Sequence, residues 1–349
     1  MFEKIMLDDG TVRVTGLGAY SLRDTLECGQ CFRHVDLSEG GDGGDSFITV
    51  IGKNLIRVSQ PERGTLVFHG IGEENFEKIA RPYFALDRSL SEVKADILAG
   101  TDSVFLKEAA EIGEGIAILG QDPWETLVSF IISQNNNIPR IKKIIRRISA
   151  EYGVNLSLHI PEAASTAKPN ENEAKSKTQV APCQVSEGKS EKDERCEGCA
   201  LCPLKGYSPV PVADCSDCGI CYTFPTAEDI LASPEGLLPS KCGFRYGYIL
   251  AAAEAVSRGE VDLTALREGG SFEEVMAELK KIKGVGDKVA ACVALFGLTR
   301  LEAFPIDVWM RRAIDTYFDG VLDPTSLGRY AGIAQQYIFN YIRNIGGNA

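Results

Sequence analysis

The chain has 349 residues, 44% hydrophobic and 25% charged, the balance of an ordinary globular protein with length for one large or two smaller domains. No apolar run is long enough for a bilayer, and the amino terminus lacks the basic-then-apolar pattern of a signal peptide, which predicts an intracellular protein, in the cytoplasm or nucleoid if bacterial. The net charge of -12 excludes a uniformly basic nucleic-acid binder, so any affinity for phosphate has to be local.

Residues 1 to about 70 carry strand signals. Alternation in Phe47-Ile48-Thr49-Val50-Ile51, Leu55-Ile56-Arg57-Val58 and Gly64-Thr65-Leu66-Val67-Phe68, broken by Gly/Asp-rich and Pro-containing turns, predicts an antiparallel sheet, with the Gly40 to Asp45 run as a hairpin loop. From Glu73 the period turns helical, with helices expected over 73 to 85, 90 to 99, 103 to 117, 123 to 134 and 138 to 152. Asp122-Pro123 is a helix start, with Asp as cap and Pro at the first position. The helix it opens, Thr126 to Ile132, is almost wholly apolar and therefore central, and it delivers the turn Asn135-Asn136-Asn137. The run Arg140-Ile141-Lys142-Lys143-Ile144-Ile145-Arg146-Arg147 is the clearest basic patch, equally readable as a solvated helix face.

Residues 156 to 222 differ from their surroundings. Polar, low-apolar stretches lead into Cys196-x-x-Cys199-x-x-Cys202 and Cys215-x-x-Cys218-x-x-Cys221, an insertion whose paired thiols suit a metal: zinc by default, an iron-sulfur cluster as rival. Helices resume over 244 to 257, 262 to 267, 271 to 281, 286 to 298, 307 to 318 and 326 to 344. The expected division is residues 1–120 for a sheet domain with helices and 121–349 for a helical domain carrying the insertion.

Chemistry concentrates near the end. Leu279-Lys280-Lys281-Ile282-Lys283-Gly284-Val285-Gly286-Asp287-Lys288 predicts a helix, a Gly-Val-Gly hairpin and a second helix running apolar through Cys292. Two glycines permit positive φ and close approach of a partner, and outward amides suit phosphate. Lys288 sits in the first helical turn, where the dipole opposes a cation; with partial desolvation this favours the uncharged amine that a nucleophile needs. Asp307, after Phe304-Pro305-Ile306, can cap the next helix and can also stabilise an oxocarbenium-like sugar.

The hairpin pattern Leu-x-x-Ile-x-Gly-Val-Gly-x-Lys-Val-Ala with a later Ile-Asp resembles the lysine-bearing branch of the helix-hairpin-helix DNA glycosylases. Gly29-Gln30-Cys31-Phe32-Arg33, Ser133-Gln134-Asn135-Asn136-Asn137-Ile138-Pro139-Arg140 and the helix from Tyr330 to Phe339 narrow it to the eukaryotic type of 8-oxoguanine DNA glycosylase. The resemblance implies an α+β fold, an antiparallel β domain followed by the helical glycosylase domain, and a monomer that acts on double-stranded DNA without a catalytic cofactor. It implies Lys288 as nucleophile with Asp307; Gly29, Cys292, Gln335 and Phe339 around the damaged base; Phe244 as wedge; and Asn135, Arg140 and Arg245 at the partner cytosine. Gly284, Val285 and Gly286 would meet the DNA backbone. Two departures stand out: Phe244 where many members have Tyr, and Trp309 where a phosphate-contacting histidine is usual. The alternatives are a glycosylase for another oxidised base and a non-catalytic DNA-binding or redox-sensing protein.

Overall fold

Alternating apolar residues build the first layer of the molecule, and the computed structural model describes it within residues 2–38, 44–156 and 220–344. Strands β1 (Glu3–Met6), β2 (Val12–Thr15), β3 (His34–Asp36), β4 (Asp45–Ile51), β5 (Asn54–Glu62) and β6 (Thr65–His69) form one antiparallel sheet in the order β1-β2-β6-β5-β4-β3. Val12, Val14, Phe47, Ile56, Val58, Leu66 and Phe68 point to one face, against Leu22 and Leu26 of α1 (Leu22–Glu27). Phe68 meets Phe76 and Phe84 edge-on at 5.4 and 5.2 Å, closing that core. The expected strands are β4, β5 and β6; β1, β2 and β3 are three or four residues long, too short for alternation to mark them.

The remainder is helical. The predicted 73–85 helix is α2 (Glu73–Asn75), a π turn (Phe76–Ala80) and α3 (Arg81–Tyr83). Next come α4 (Leu90–Ala99) and α5 (Val104–Gly113), which belong with the helical core: Phe105 stacks on Tyr317 at 3.9 Å, and Gly113 lies against Tyr337. The predicted 103–117 helix stops at Gly113 because residues 116–119 are held elsewhere. The fully buried Gln30 side chain donates to the Ala117 carbonyl at 2.8 Å and accepts from the Leu119 amide at 2.9 Å.

Helix α6 (Pro123–Ser133) is capped by Asp122, whose carboxylate accepts from the Glu125 amide at 2.8 Å, and its residues 126–132 are all buried. Its Phe130 touches Phe32 of the β3 approach at 5.8 Å and stacks on Phe296 at 5.3 Å, so α6 joins the sheet side to the later helices. Then follow α7 (Ile138–Tyr152), α8 (Ala227–Ala232), a 3-10 turn (Pro234–Ser240), a 3-10 turn (Gly243–Arg245), α9 (Tyr246–Ser257), α10 (Leu263–Glu268), α11 (Phe272–Leu279) and α12 (Asp287–Cys292). A π turn (Val293–Gly297), α13 (Val308–Tyr317), a 3-10 turn (Pro324–Tyr330) and α14 (Ala331–Asn344) complete the chain.

Tyr222 pairs with Asn155 as an antiparallel bridge, and the Thr223 amide donates to the Val154 carbonyl at 2.9 Å. The chain before residue 157 and the chain after residue 219 therefore meet at one place. Cys196, Cys199, Cys202, Cys215 and Cys218 lie outside the described residues; Cys221 packs with Ile48, Val50, Leu156 and Ile220 on the outer face of the sheet. Among the described residues no group of three or more His, Cys, Asp or Glu could hold a metal, and no helix is long and apolar enough to cross a membrane.

Candidate active site

The hairpin between α11 and α12 presents Lys288 in the first turn of α12. Its amine lies over the Phe130 ring, 5.0 Å from the centroid, and donates to the Ser133 hydroxyl at 3.3 Å; that hydroxyl donates to the Phe130 carbonyl at 2.8 Å. Cys292 is buried one turn further on. Burial pushes its thiol pKa up, the neighbouring Lys288 amine pulls it down, and the Asp307 carboxylate pushes it up again. Asp307 is the cap of α13, accepting from the Met310 amide at 2.8 Å, which fixes the carboxylate at the rim with its second oxygen available.

Only one of the two hairpin glycines uses the left-handed freedom expected of both. Gly284 has φ +91, and a side chain there would run into the Tyr248 ring. Gly286 is extended, with φ -96 and ψ -175, and nothing lies within 4 Å of where its Cβ would stand. Its use is open access to the backbone. Val285 is buried beneath the hairpin. The Gln134 amide donates to the Gly284 carbonyl at 3.1 Å, tying the hairpin to the turn after α6.

In that turn Asn135 is left-handed (φ 49) and exposed, while Asn137 caps α7 by accepting from the Arg140 amide at 3.0 Å. Arg140 is exposed. Arg245 is not: it is 3% exposed, its guanidinium donating to the carbonyls of Gln134, Asn135 and Cys242. Placed for a partner base by resemblance, it is turned inward here and anchors the Asn135 turn from below. Its guanidinium also lies 4.4 Å from the centroid of the Phe244 ring, and Tyr248 meets that ring edge-on at 6.0 Å. Phe244, 58% exposed, is thus a rigid apolar projection at the rim.

The basic run of α7 divides. Lys142 donates to Nε2 of the buried His34 at 2.8 Å and Arg146 to the His34 carbonyl at 3.2 Å, so these two fasten α7 to the sheet. Arg140, Lys143 and Arg147 lie on the other side, along a cleft shared with Lys241.

Gly29, at φ +88, follows α1; a Cβ built on it would meet Ile138 Cδ1 at 3.7 Å and the Phe339 ring at 3.9 Å. Gly29, Ile138 and Phe339 therefore lie together, and no described residue donates to the Gly29 carbonyl. Ile138 begins α7 five residues after Ser133 ends α6, so this cluster and the Lys288 amine flank a single short turn. Gln335, buried one turn before Phe339, has its amide oxygen held by Gln336 Nε2 at 2.7 Å, leaving its amide nitrogen to donate. Arg343 donates to the Glu27 carbonyl and fastens α14 to α1. Trp309, 47% exposed on α13, carries the Arg312 guanidinium 5.4 Å from its ring centroid.

The sequence reading gave no role to four of the residues that hold this site. Ser133 receives the Lys288 amine, Gln134 joins hairpin to turn, Gln336 orients Gln335, and Gln30 fixes the loop that presents Gly29. Gln30 alone had a usable signal, as an uncharged polar residue wedged between Cys28-Gly29 and Cys31-Phe32.

A helix-hairpin-helix element carrying Lys288, joined through Ser133 and Gln134 to a helical core that follows an antiparallel sheet, is the architecture of the helix-hairpin-helix DNA glycosylase class. The comparisons agree with the geometry. A family model described as the N-terminal domain of 8-oxoguanine DNA glycosylase matches residues 15–127. The solved structure of MBOgg1 in complex with a low-affinity DNA ligand is 31% identical, covers 99% of both chains and superposes with a TM-score of 0.72. The Clostridium acetobutylicum 8-oxoguanine glycosylase/lyase, solved with double-stranded DNA containing cytosine opposite 8-oxoguanine, is 28% identical, covers 100% of this chain and 99% of that one, and gives a TM-score of 0.71. The Saccharomyces cerevisiae N-glycosylase/DNA lyase is 29% identical over 242 residues, 66% of this chain and 48% of that protein, so the match spans about half the yeast relative's length. The chain belongs to the 8-oxoguanine DNA glycosylase family of the helix-hairpin-helix superfamily.

Proposed function

We propose that the protein excises 8-oxoguanine paired with cytosine in double-stranded DNA and then cleaves the abasic strand, as a step of base-excision repair. The observations that support this are the Lys288 amine bonded to Ser133 and the packing of Gly29 near Ile138 and Phe339, on the two sides of the turn between α6 and α7. A base can present its C1' to that amine only if its nucleotide leaves the duplex stack, and the exposed Phe244 ring would fill the vacated space.

In this reading the uncharged amine attacks C1' while the glycosidic bond breaks and the base leaves with the bonding pair. The amine then gives up its proton and the sugar ring opens to an imine on Lys288. Loss of a proton from C2' expels the 3' phosphate by β-elimination, and water releases the lysine. The Asp307 carboxylate faces the sugar as positive charge develops there, an electrostatic contribution strongest in a site that excludes water. 8-Oxoguanine differs from guanine by a hydrogen on N7, which the unspent Gly29 carbonyl can accept; guanine offers a bare N7 there and leaves two acceptors facing each other. Phe339 would stack on the base and the Gln335 amide reach its pyrimidine edge, while Asn135 and Arg140 face the partner.

Borohydride reduction during reaction with a duplex containing 8-oxoguanine opposite cytosine should trap a covalent protein-DNA adduct that is lost in Lys288→Gln. An adduct that survives the substitution, or none with the wild-type chain, overturns the proposal. Guanine in the same duplex should give none.

A further inference from the structure

We propose that Gln336 sets the purine specificity of this site: by holding the Gln335 oxygen it makes Gln335 a hydrogen-bond donor, which admits 8-oxoguanine and rejects 8-oxoadenine. The inference rests on the function proposed above.

The two oxidised purines share the hydrogen on N7 and the carbonyl at C8, so the Gly29 carbonyl that would turn guanine away cannot tell them apart. They differ at the pyrimidine edge, where position 6 carries a carbonyl acceptor in one and an amino donor in the other. A glutamine amide can meet either, because its oxygen accepts, its nitrogen donates, and a half-turn exchanges them. Reading position 6 therefore takes a second group that stops the amide from turning over.

Gln336 is such a group. Gln335 and Gln336 are 4% and 3% exposed on α14, and the Gln336 Nε2 donates to the Gln335 Oε1 at 2.7 Å. An oxygen turned toward Gln336 leaves the Gln335 nitrogen turned away from it, and that nitrogen makes no hydrogen bond among the described residues. Gln335 and Phe339 stand four apart and share the helix face that Phe339 presents to Gly29. A base stacked on Phe339 would thus meet a donor at residue 335.

The far end of Gln336 is an independent observation. Its Oε1 is buried and has no hydrogen-bond partner. An unpaired buried acceptor is destabilising, and an apolar side chain of similar length would avoid it. Rotating the Gln336 amide does not help, because two oxygens would then face each other unless Gln335 turned as well and offered its own oxygen outward. A polar side chain that leaves one end unsatisfied is accounted for by what its other end holds.

The test is single-turnover borohydride trapping with the full chain on duplexes carrying 8-oxoguanine or 8-oxoadenine, each opposite cytosine. Gln336→Met keeps the length and removes donor and acceptor, so Gln335 can turn and accept from the 6-amino group. The rate on 8-oxoguanine should fall and that on 8-oxoadenine rise, lowering their ratio about tenfold, the scale of one hydrogen bond. A lesion that merely disturbs the fold lowers both rates together. Gln336→Glu adds a pH signature. Its protonated carboxyl donates as the amide does, whereas its ionised form only accepts and draws the Gln335 nitrogen inward. Its ratio should therefore fall as pH rises from about 5 to 9, the range over which a buried glutamate ionises, while the wild-type ratio stays level.

Equal wild-type rates on the two bases overturn the proposal, as does a ratio that Gln336→Met leaves unchanged. Where that variant does not fold, a ratio in Gln336→Glu that ignores pH overturns it instead. No adduct from the wild-type chain on either base overturns the function itself and this inference with it; adducts with an unaltered ratio overturn only the role of Gln336.

Discussion

Gly284→Ala tests how the hairpin is built. The residue sits at φ +91, so any L side chain there carries about 1–2 kcal/mol of backbone strain. Its Cβ would also stand 2.6 and 2.7 Å from Cδ1 and Cδ2 of Tyr248, closer than carbon atoms approach, and Tyr248 is itself packed against Phe244. Forcing that ring aside is an overpacking penalty of about 1–3 kcal/mol, for a total of roughly 2–5 kcal/mol. The two parts separate in a double-mutant cycle. In a Tyr248→Ala background the collision disappears and the strain remains, so Gly284→Ala should then cost only about 1–2 kcal/mol. Urea denaturation of the four proteins gives the free energies from midpoint and slope. Equal penalties in both backgrounds, within about 0.5 kcal/mol, would refute the claim that the Tyr248 ring is what excludes a side chain at 284. DNA affinity should follow the same pattern. Gly284→Ala moves Tyr248 and Phe244 and loosens the Gln134 bond to the 284 carbonyl, and the double variant should recover part of the loss.

Arg245→Met should destabilise the fold by roughly 2–4 kcal/mol, because the carbonyls of Gln134, Asn135 and Cys242 lose charged donors in a buried place. Faster amide exchange across 135–137 should accompany it, and Arg245→Lys should restore only part, having no planar fork; unchanged exchange would mean that Arg245 does not anchor the turn. His34 governs acid stability. It is buried, faced by Lys142, Arg146, Cys31 and Asp36, and burial first, then Lys142 and Arg146, hold its pKa well below the ordinary 6.5. A base whose folded pKa is depressed binds fewer protons folded than unfolded, so its contribution is complete above pH 6.5 and declines below it at up to about 1.4 kcal/mol per pH unit, until the folded pKa is reached. His34→Gln should flatten urea stability between about pH 6.5 and 5; an equal slope in both proteins would place the acid sensitivity elsewhere.

Much of the scaffold was legible because it is written in local patterns. Period-two alternation marked β4, β5 and β6, and the apolar run 126–132 marked α6 as central. Asp122 and Asp307 announced their helices as caps, and both do cap. The ends of other elements were not legible. The helix from Val104 stops at Gly113 because Thr25 and Gln30, some ninety residues earlier, hold the amides of Ala117 and Leu119. The run 140–147 looks uniformly basic in sequence, yet a helix turns successive side chains by about 100°, so Lys142 and Arg146 meet the sheet while Arg140 and Arg147 do not.

By itself, the sequence marked the candidates for the chemistry: an amine after a Gly-Val-Gly hairpin and a capping aspartate by residue type and spacing, a glycine after α1 and an aromatic on the last helix by resemblance to the family. The tertiary structure alone decided how they are held: Lys288 on Ser133, Gly29 against Ile138 and Phe339, Arg245 inward beneath the Asn135 turn, and Gly286 extended. The reason is physical. Periodicity and capping arise within a few residues of chain, whereas a buried polar group must find a partner wherever the fold supplies one, and those partners lie as far apart in sequence as residues 133 and 288.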